Sequence, residues 1–113
     1  METNLEFKEL TLGCNITDRE ALRIYKVVGY DSVKGSVDVL HHLNRMTASI
    51  SEFKGVELTN EVLNTCDIEL VSENLYNIGE LTFSCMQPFV YLHHIQRSFL
   101  AETNEVLEYK PIV

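Results

Sequence analysis

Two pairs of adjacent histidines are the residues of this chain best suited to chemistry. Leu40-His41-His42-Leu43-Asn44-Arg45 recurs as Leu92-His93-His94-Ile95-Gln96-Arg97, with four identical and two conservative positions. Imidazoles titrate near neutral pH and ligate transition metals, so a repeated His-His points to a metal, an anion or a proton as its target. Read as helix, successive residues are rotated by about 100°. Leu40 and Leu43 then face inward, His41 and Arg45 share one flank, and His42 points outward. His93, Arg97 and His94 repeat the arrangement. Neighbouring histidines so placed do not converge on one ion, and the i, i+4 spacing of a zinc helix is missing.

The spacing therefore assigns no metal site and calls for no cofactor. His41, Arg45, His93 and Arg97 are the candidates for holding an anionic ligand or sensing pH. A metal alternative survives only if two helices bring His41 and His93 together, with Cys14 and Cys66 nearby. The plainer expectation is that His41 and His93 sit at the core boundary, hydrogen-bonded to backbone or carboxylates.

Covalent catalysis has little to work with. No GxSxG, HRD, GxxxxGK[ST] or GxGxxG pattern occurs, and nothing in the sequence places Cys14 beside His41. Glu52, Glu57 and Glu61, followed by Asp67, Glu69 and Glu73, read as a solvated acidic face rather than an acid/base pair. The chain is expected not to be an enzyme.

Charge narrows the partners. Seventeen acids against nine Lys and Arg give a net charge of -8 over 113 residues, which argues against binding the phosphate backbone of nucleic acids. Residues 1–56 carry eight acids and seven bases, whereas residues 57–113 carry nine acids and two bases. An acidic half of this kind suits a basic protein surface. Glu69, Glu73, Tyr76 and Glu80 are the candidate contacts, because Glu73-Asn74-Leu75-Tyr76-Asn77 reads as an exposed acidic and amide-rich stretch. The odd count of three cysteines, with no CxxC, suggests reduced buried thiols rather than a disulfide scaffold. No apolar run approaches the ~20 residues of a membrane span. The expected setting is the cytoplasm, with no membrane partner.

The elements that must position these residues follow from repetition and periodicity. Besides the histidine hexapeptide, Thr59-Asn60-Glu61-Val62-Leu63 recurs unchanged as Thr103-Asn104-Glu105-Val106-Leu107. Together the matches predict a single domain over residues 1–113 built from two units, about 4–55 and 56–113, related by a pseudo-two-fold. Thr17 and Glu20 form a capping-box pattern ahead of a helix at about 18–28, which ends at Gly29. Arg19, Arg23 and Lys26 make a basic stripe on its outer face. Val37, Leu40, Leu43, Met46, Ile50 and Phe53 predict a long helix over about 36–53. Its counterpart starts at Pro88, with Phe89, Leu92, Ile95 and Phe99 as its stripe.

Phe7–Leu12, Val56–Leu63 and Val106–Tyr109 are candidate strands, Glu80–Cys85 is a fourth, and Thr59–Leu63 could instead open a short helix. Between residues 67 and 85 helix and strand compete. The fold class is α+β, a small sheet with two main helices on one face. The leading functional expectation is a small acidic regulator or inhibitor that binds protein. A ligand- or metal-binding regulator using the paired histidines is the first alternative. The second is an oligomeric assembly subunit, since the basic stripe and the acidic half complement each other and favour a homo-oligomer.

Overall fold

Alternation with a period of two, not helical periodicity, governs the first half of the chain. Tyr25 and Val27 are buried with Lys26 between them, and Val37 and Val39 are buried on either side of Asp38. That is the pattern of strands with one face on a core. In the computed structural model, which describes residues 5–20, 23–72, 75–84 and 91–109, these segments form an antiparallel sheet. Its strands are β1 (Asn15–Asp18), β2 (Ile24–Asp31), β3 (Ser36–His41), β4 (Asn44–Ser49) and β5 (Phe53–Gly55), in the order β4-β3-β2-β1-β5. A second antiparallel sheet follows, β6 (Ile68–Ser72), β7 (Leu75–Ile78) and β8 (Leu81–Ser84), in sequential order. Two helices complete the described fold, α1 (Asn60–Thr65) and α2 (Leu92–Thr103), with 3-10 turns at Phe7–Glu9 and Ile50–Glu52.

The mixed α+β class is as expected; its arrangement is not. The helix expected at about 18–28 is replaced by β2, because Ile24-Tyr25-Lys26-Val27-Val28 is dense in β-branched and aromatic residues that pack better on a pleated surface. The long helix expected over 36–53 is the β3–β4 hairpin. Its supposed apolar stripe breaks at Leu43, which stands 97% exposed at the hairpin tip. His42, the first turn residue, adopts φ 56° there, a conformation that no helix interior contains. Phe7–Leu12 is a 3-10 turn and its exit rather than a strand. Val106–Tyr109 has no regular secondary structure and belongs to neither sheet, though it buries Leu107. Thr59 caps α1 by accepting the Val62 N–H at 3.2 Å, so the helical alternative holds for that segment. The contest over 67–85 falls to strands as far as residue 84, with Gly79 (φ 62°) turning the β7–β8 hairpin.

Both repeated peptides adopt unlike conformations. Leu40–Arg45 turns a hairpin while Leu92–Arg97 is the start of α2; Thr59–Leu63 enters a helix while Thr103–Leu107 leaves one. The expected pair of equivalent helices on one face is therefore replaced by one long helix set between two sheets. Identical short sequences take the structure their surroundings offer, here an antiparallel neighbour in one case and two cores in the other.

Those cores explain α2. Ile16, Val27, Val37, Val39 and Phe53 fill one against the larger sheet. Leu92 and Ile95 join Val62, Leu63, Ile68, Tyr76, Ile78 and Phe83 in the other. The opposite side of α2 is polar yet equally buried. The Gln96 side chain accepts the Asn15 N–H at 2.8 Å, and its amide nitrogen donates to Asn15 Oδ1 and to the Leu107 carbonyl, both at 2.7 Å. One side chain thus joins β1, α2 and the C-terminal segment.

Replacing Gln96 with Met keeps the volume and removes every one of those bonds. Each buried group left unpaired costs about 1–3 kcal/mol. Gln96→Met is expected to lower the unfolding free energy by roughly 2–4 kcal/mol in urea titrations. Arg97→Ala, one residue on and exposed, should change it by less than about 0.5 kcal/mol.

Candidate functional site

The N-terminus of α2 is held on three sides. The Leu92 N–H donates to the Val56 carbonyl at 2.8 Å, and Tyr91 bridges Glu57. The Tyr91 side chain lies against Gly55, where an added Cβ would collide with its Cγ and Cδ1. Glycine is required at 55 for this close approach. With Leu92 fixed in one core and Gln96 clamped to β1, the intervening turn has a set rotation. It places His93 in the interior, fully excluded from solvent, and swings His94 toward the Phe7–Glu9 turn.

Glu9, His93 and His94 meet there. His94 Nδ1 accepts the Tyr91 N–H over a long 3.4 Å, which leaves Nε2 protonated to donate to Glu9 Oε1 at 3.0 Å. His93 Nε2 stands 3.9 Å from the same oxygen, beyond hydrogen-bond range, and neither of its ring nitrogens has a partner. Its ring stacks on Tyr91 (centroids 5.7 Å, planes 10° apart) and packs against His94 at 4.4 Å.

The electrostatics follow from burial. Desolvation, reinforced by the neighbouring His94 and opposed by Glu9, lowers the His93 pKa from 6.5 to about 4. His93 is therefore neutral at physiological pH, with a ring lone pair unused. Burial would raise the Glu9 pKa, but the Glu6 N–H, the His94 hydrogen bond and the two imidazoles outweigh it and hold Glu9 below its ordinary value. A carboxylate and two imidazoles with ligand atoms within 4.8 Å of one another form the one group of three potential metal ligands among the described residues.

The other sequence candidates are dispersed. His41 lies on β3, 3.4 Å from the Ile24 carbonyl and packed on Tyr25, as a boundary histidine should be. Arg45 pairs with Asp38 across the hairpin at 3.3 Å. His41 and His93 contact different residues and share no cluster, and Arg97 is exposed on α2. His93 lacks the hydrogen bond expected of it. Cys14 and Cys66 lie in separate cores, their thiol pKa values raised by burial, that of Cys66 to about 11. Cys85 lies outside the described residues.

In the acidic half, Glu69 on β6 and Glu80 in the β7–β8 turn are exposed as expected, and Glu73 lies outside the described residues. Tyr76 is corrected: it is 5% exposed, a core residue of β7 facing Phe83. The basic stripe dissolves with its helix. Arg19 donates to the Ser51 carbonyl at 2.7 Å, and Lys26 sits half-buried on β2. Two contributors escaped the sequence reading: Glu9, which no spacing links to a histidine 84 positions away, and Tyr91, whose neighbour-stacking role depends on Gly55.

Taken together, the fold is a two-sheet α+β arrangement with a partly buried His-His-carboxylate cluster at the head of its long helix. Comparison with protein-family models, curated proteins and solved structures returns no match for this chain.

His93 makes stability pH-dependent with a definite sign. Its folded pKa, about 4, lies below the 6.5 of the free ring. As pH falls through this interval the unfolded chain takes up the proton first, so the native state loses stability. In the presence of a chelator, urea midpoints should fall between pH 6.5 and 4, with a loss of up to about 3 kcal/mol. His93→Gln should flatten that slope; an unchanged slope would assign it to other groups.

Proposed function

We propose that this chain is a small cytoplasmic protein-binding regulator that captures a basic, extended segment of another protein along strand β6. The observation that carries the reading is the state of that strand. β6 ends the order of its sheet, with β7 as its only strand neighbour among the described residues. Along it only Ile68 is buried, while Leu70 and Val71 are 50% and 48% exposed. Unpaired N–H and C=O groups on such an edge accept an added strand, and alternate side chains supply specificity.

Charge selects the occupant. Asp67 and Glu69 stand exposed at one end of β6, and Glu80 lies in the turn beside it, because Ile68 pairs with Ile78 across the sheet. A second copy pairing parallel and in register along the same edge would bring acids against acids, which is unfavourable. A segment bearing Lys or Arg between apolar residues would satisfy both the backbone edge and the carboxylates. The reading is one of binding rather than turnover.

The test uses a library of eight-residue peptides alternating Lys or Arg with Val or Ile. Backbone amide shifts on binding should map to residues 68–72 and 80. The double reversal Glu69→Lys with Glu80→Lys should weaken binding by about tenfold, as should a rise in salt from about 50 to 300 mM. Shifts confined to another face, or affinity unmoved by the reversal, would refute the assignment.

A further inference from the structure

Imidazole and carboxylate are the donor types that suit zinc and its first-row neighbours. We propose that Glu9, His93 and His94 bind one divalent ion of the zinc class through Glu9 Oε1 and the two Nε2 atoms. This site is independent of the β6 surface, and neither stands or falls with the other.

Four observations converge on it. The first is the unpartnered imidazole of His93, sealed from solvent beside a carboxylate with both ring nitrogens unsatisfied. Buried polar atoms of this kind are rare, and a missing ligand is one of their ordinary explanations.

The second is distance. Ligands about 2.0–2.1 Å from a tetrahedral ion stand roughly 3.3 Å apart. The Nε2 atoms of His94 and His93 lie 3.0 and 3.9 Å from Glu9 Oε1, bracketing that value.

The third is access. Glu9 and His94 side chains are 21% and 27% exposed while His93 forms the floor, so an ion enters from the solvent side and a water completes its shell. The fourth is the donor set itself, one carboxylate and two imidazoles whose ligand atoms lie within 4.8 Å of one another.

Proton balance is straightforward. His94 now carries its proton on Nε2. Binding the ion there moves the proton to Nδ1 and gives up the long contact to the Tyr91 N–H. The ion would join the Phe7–Glu9 turn to the head of α2, segments more than 80 residues apart in sequence.

The test is a titration of chelator-treated full-length protein with zinc sulfate near pH 7.4, read by calorimetry and thermal melting. The expected result is one equivalent bound at micromolar concentration and a raised melting temperature, since an ion selective for the native state must stabilise it. Glu9→Ala and His94→Ala, both at partly exposed positions, should each weaken binding at least about tenfold, with circular dichroism confirming the fold. His41→Ala should bind as the parent does. Cobalt in place of zinc should give d–d bands without thiolate charge transfer. Absence of binding, thiolate bands, or affinity lost in His41→Ala but kept in Glu9→Ala and His94→Ala would each overturn the site.

Discussion

The structure depends most on one buried amide. Gln96 is the point at which the larger sheet, the long helix and the C-terminal segment are tied together, through the Asn15 backbone and side chain and the Leu107 carbonyl. Each such bond contributes only about 0.5–1.5 kcal/mol net, but each becomes expensive once one partner is removed. Hydrophobic burial alone would let α2 settle on the smaller sheet through Leu92 and Ile95 and remain free to rotate against the larger one. The amide removes that freedom. Gln96 lies three residues after His93, nearly one turn, so fixing its rotation also fixes the histidine toward the same polar seam.

That seam accounts for the pairing of order and cost at the cluster. Tyr91 over Gly55 and Leu92 on Val56 hold the start of the helix from below. With the backbone constrained on both sides of His93, its ring has no route to water. The 3-10 turn then brings Glu9 to the seam from the far end of the chain. Because its acid stays ionised in a half-buried place, the electrostatic field there is negative and local. The field at β6 is also negative but spread across an open surface. The two regions use the same charge in opposite ways: one concentrates it on a point inside the protein, the other spreads it along an edge.

How much of this was legible depends on whether the determining contacts are local. Leu92, Ile95 and Phe99 announce α2 because a helix's apolar face is written at its own spacing. Thr59 caps α1 within three residues, yet Val56–Leu63 reads first as a strand and the short helix only as its alternative. The hairpin β3–β4 was missed because Val37, Leu40 and Leu43 also satisfy a helical stripe, and only the alternation Val37-Asp38-Val39, with a turn at His42, reveals otherwise. The repeated hexapeptide misled for the same reason. Its six residues favour neither outcome strongly, and the neighbouring strand or core decides. His93 was recognisable as unusual. His94, read as pointing outward, reaches back to Glu9 because that residue is delivered by a fold no local pattern encodes. Tyr76 looked exposed from its polar neighbours, yet in a strand those neighbours occupy the other face.

The last consideration is what a histidine at position 93 costs. Phenylalanine or leucine would fill the space beside Tyr91 and Leu92 without burying ring nitrogens, each of which forfeits hydration worth on the order of 1–3 kcal/mol when unpaired. Packing cannot explain the choice, since the stacking on Tyr91 is available to any aromatic ring. Hydrogen bonding cannot explain it either, because neither nitrogen has a partner in the protein. What distinguishes imidazole from the alternatives is a neutral lone pair, kept neutral here by the burial that makes it costly. A group whose expense and whose chemical capacity have the same cause is best understood through the capacity.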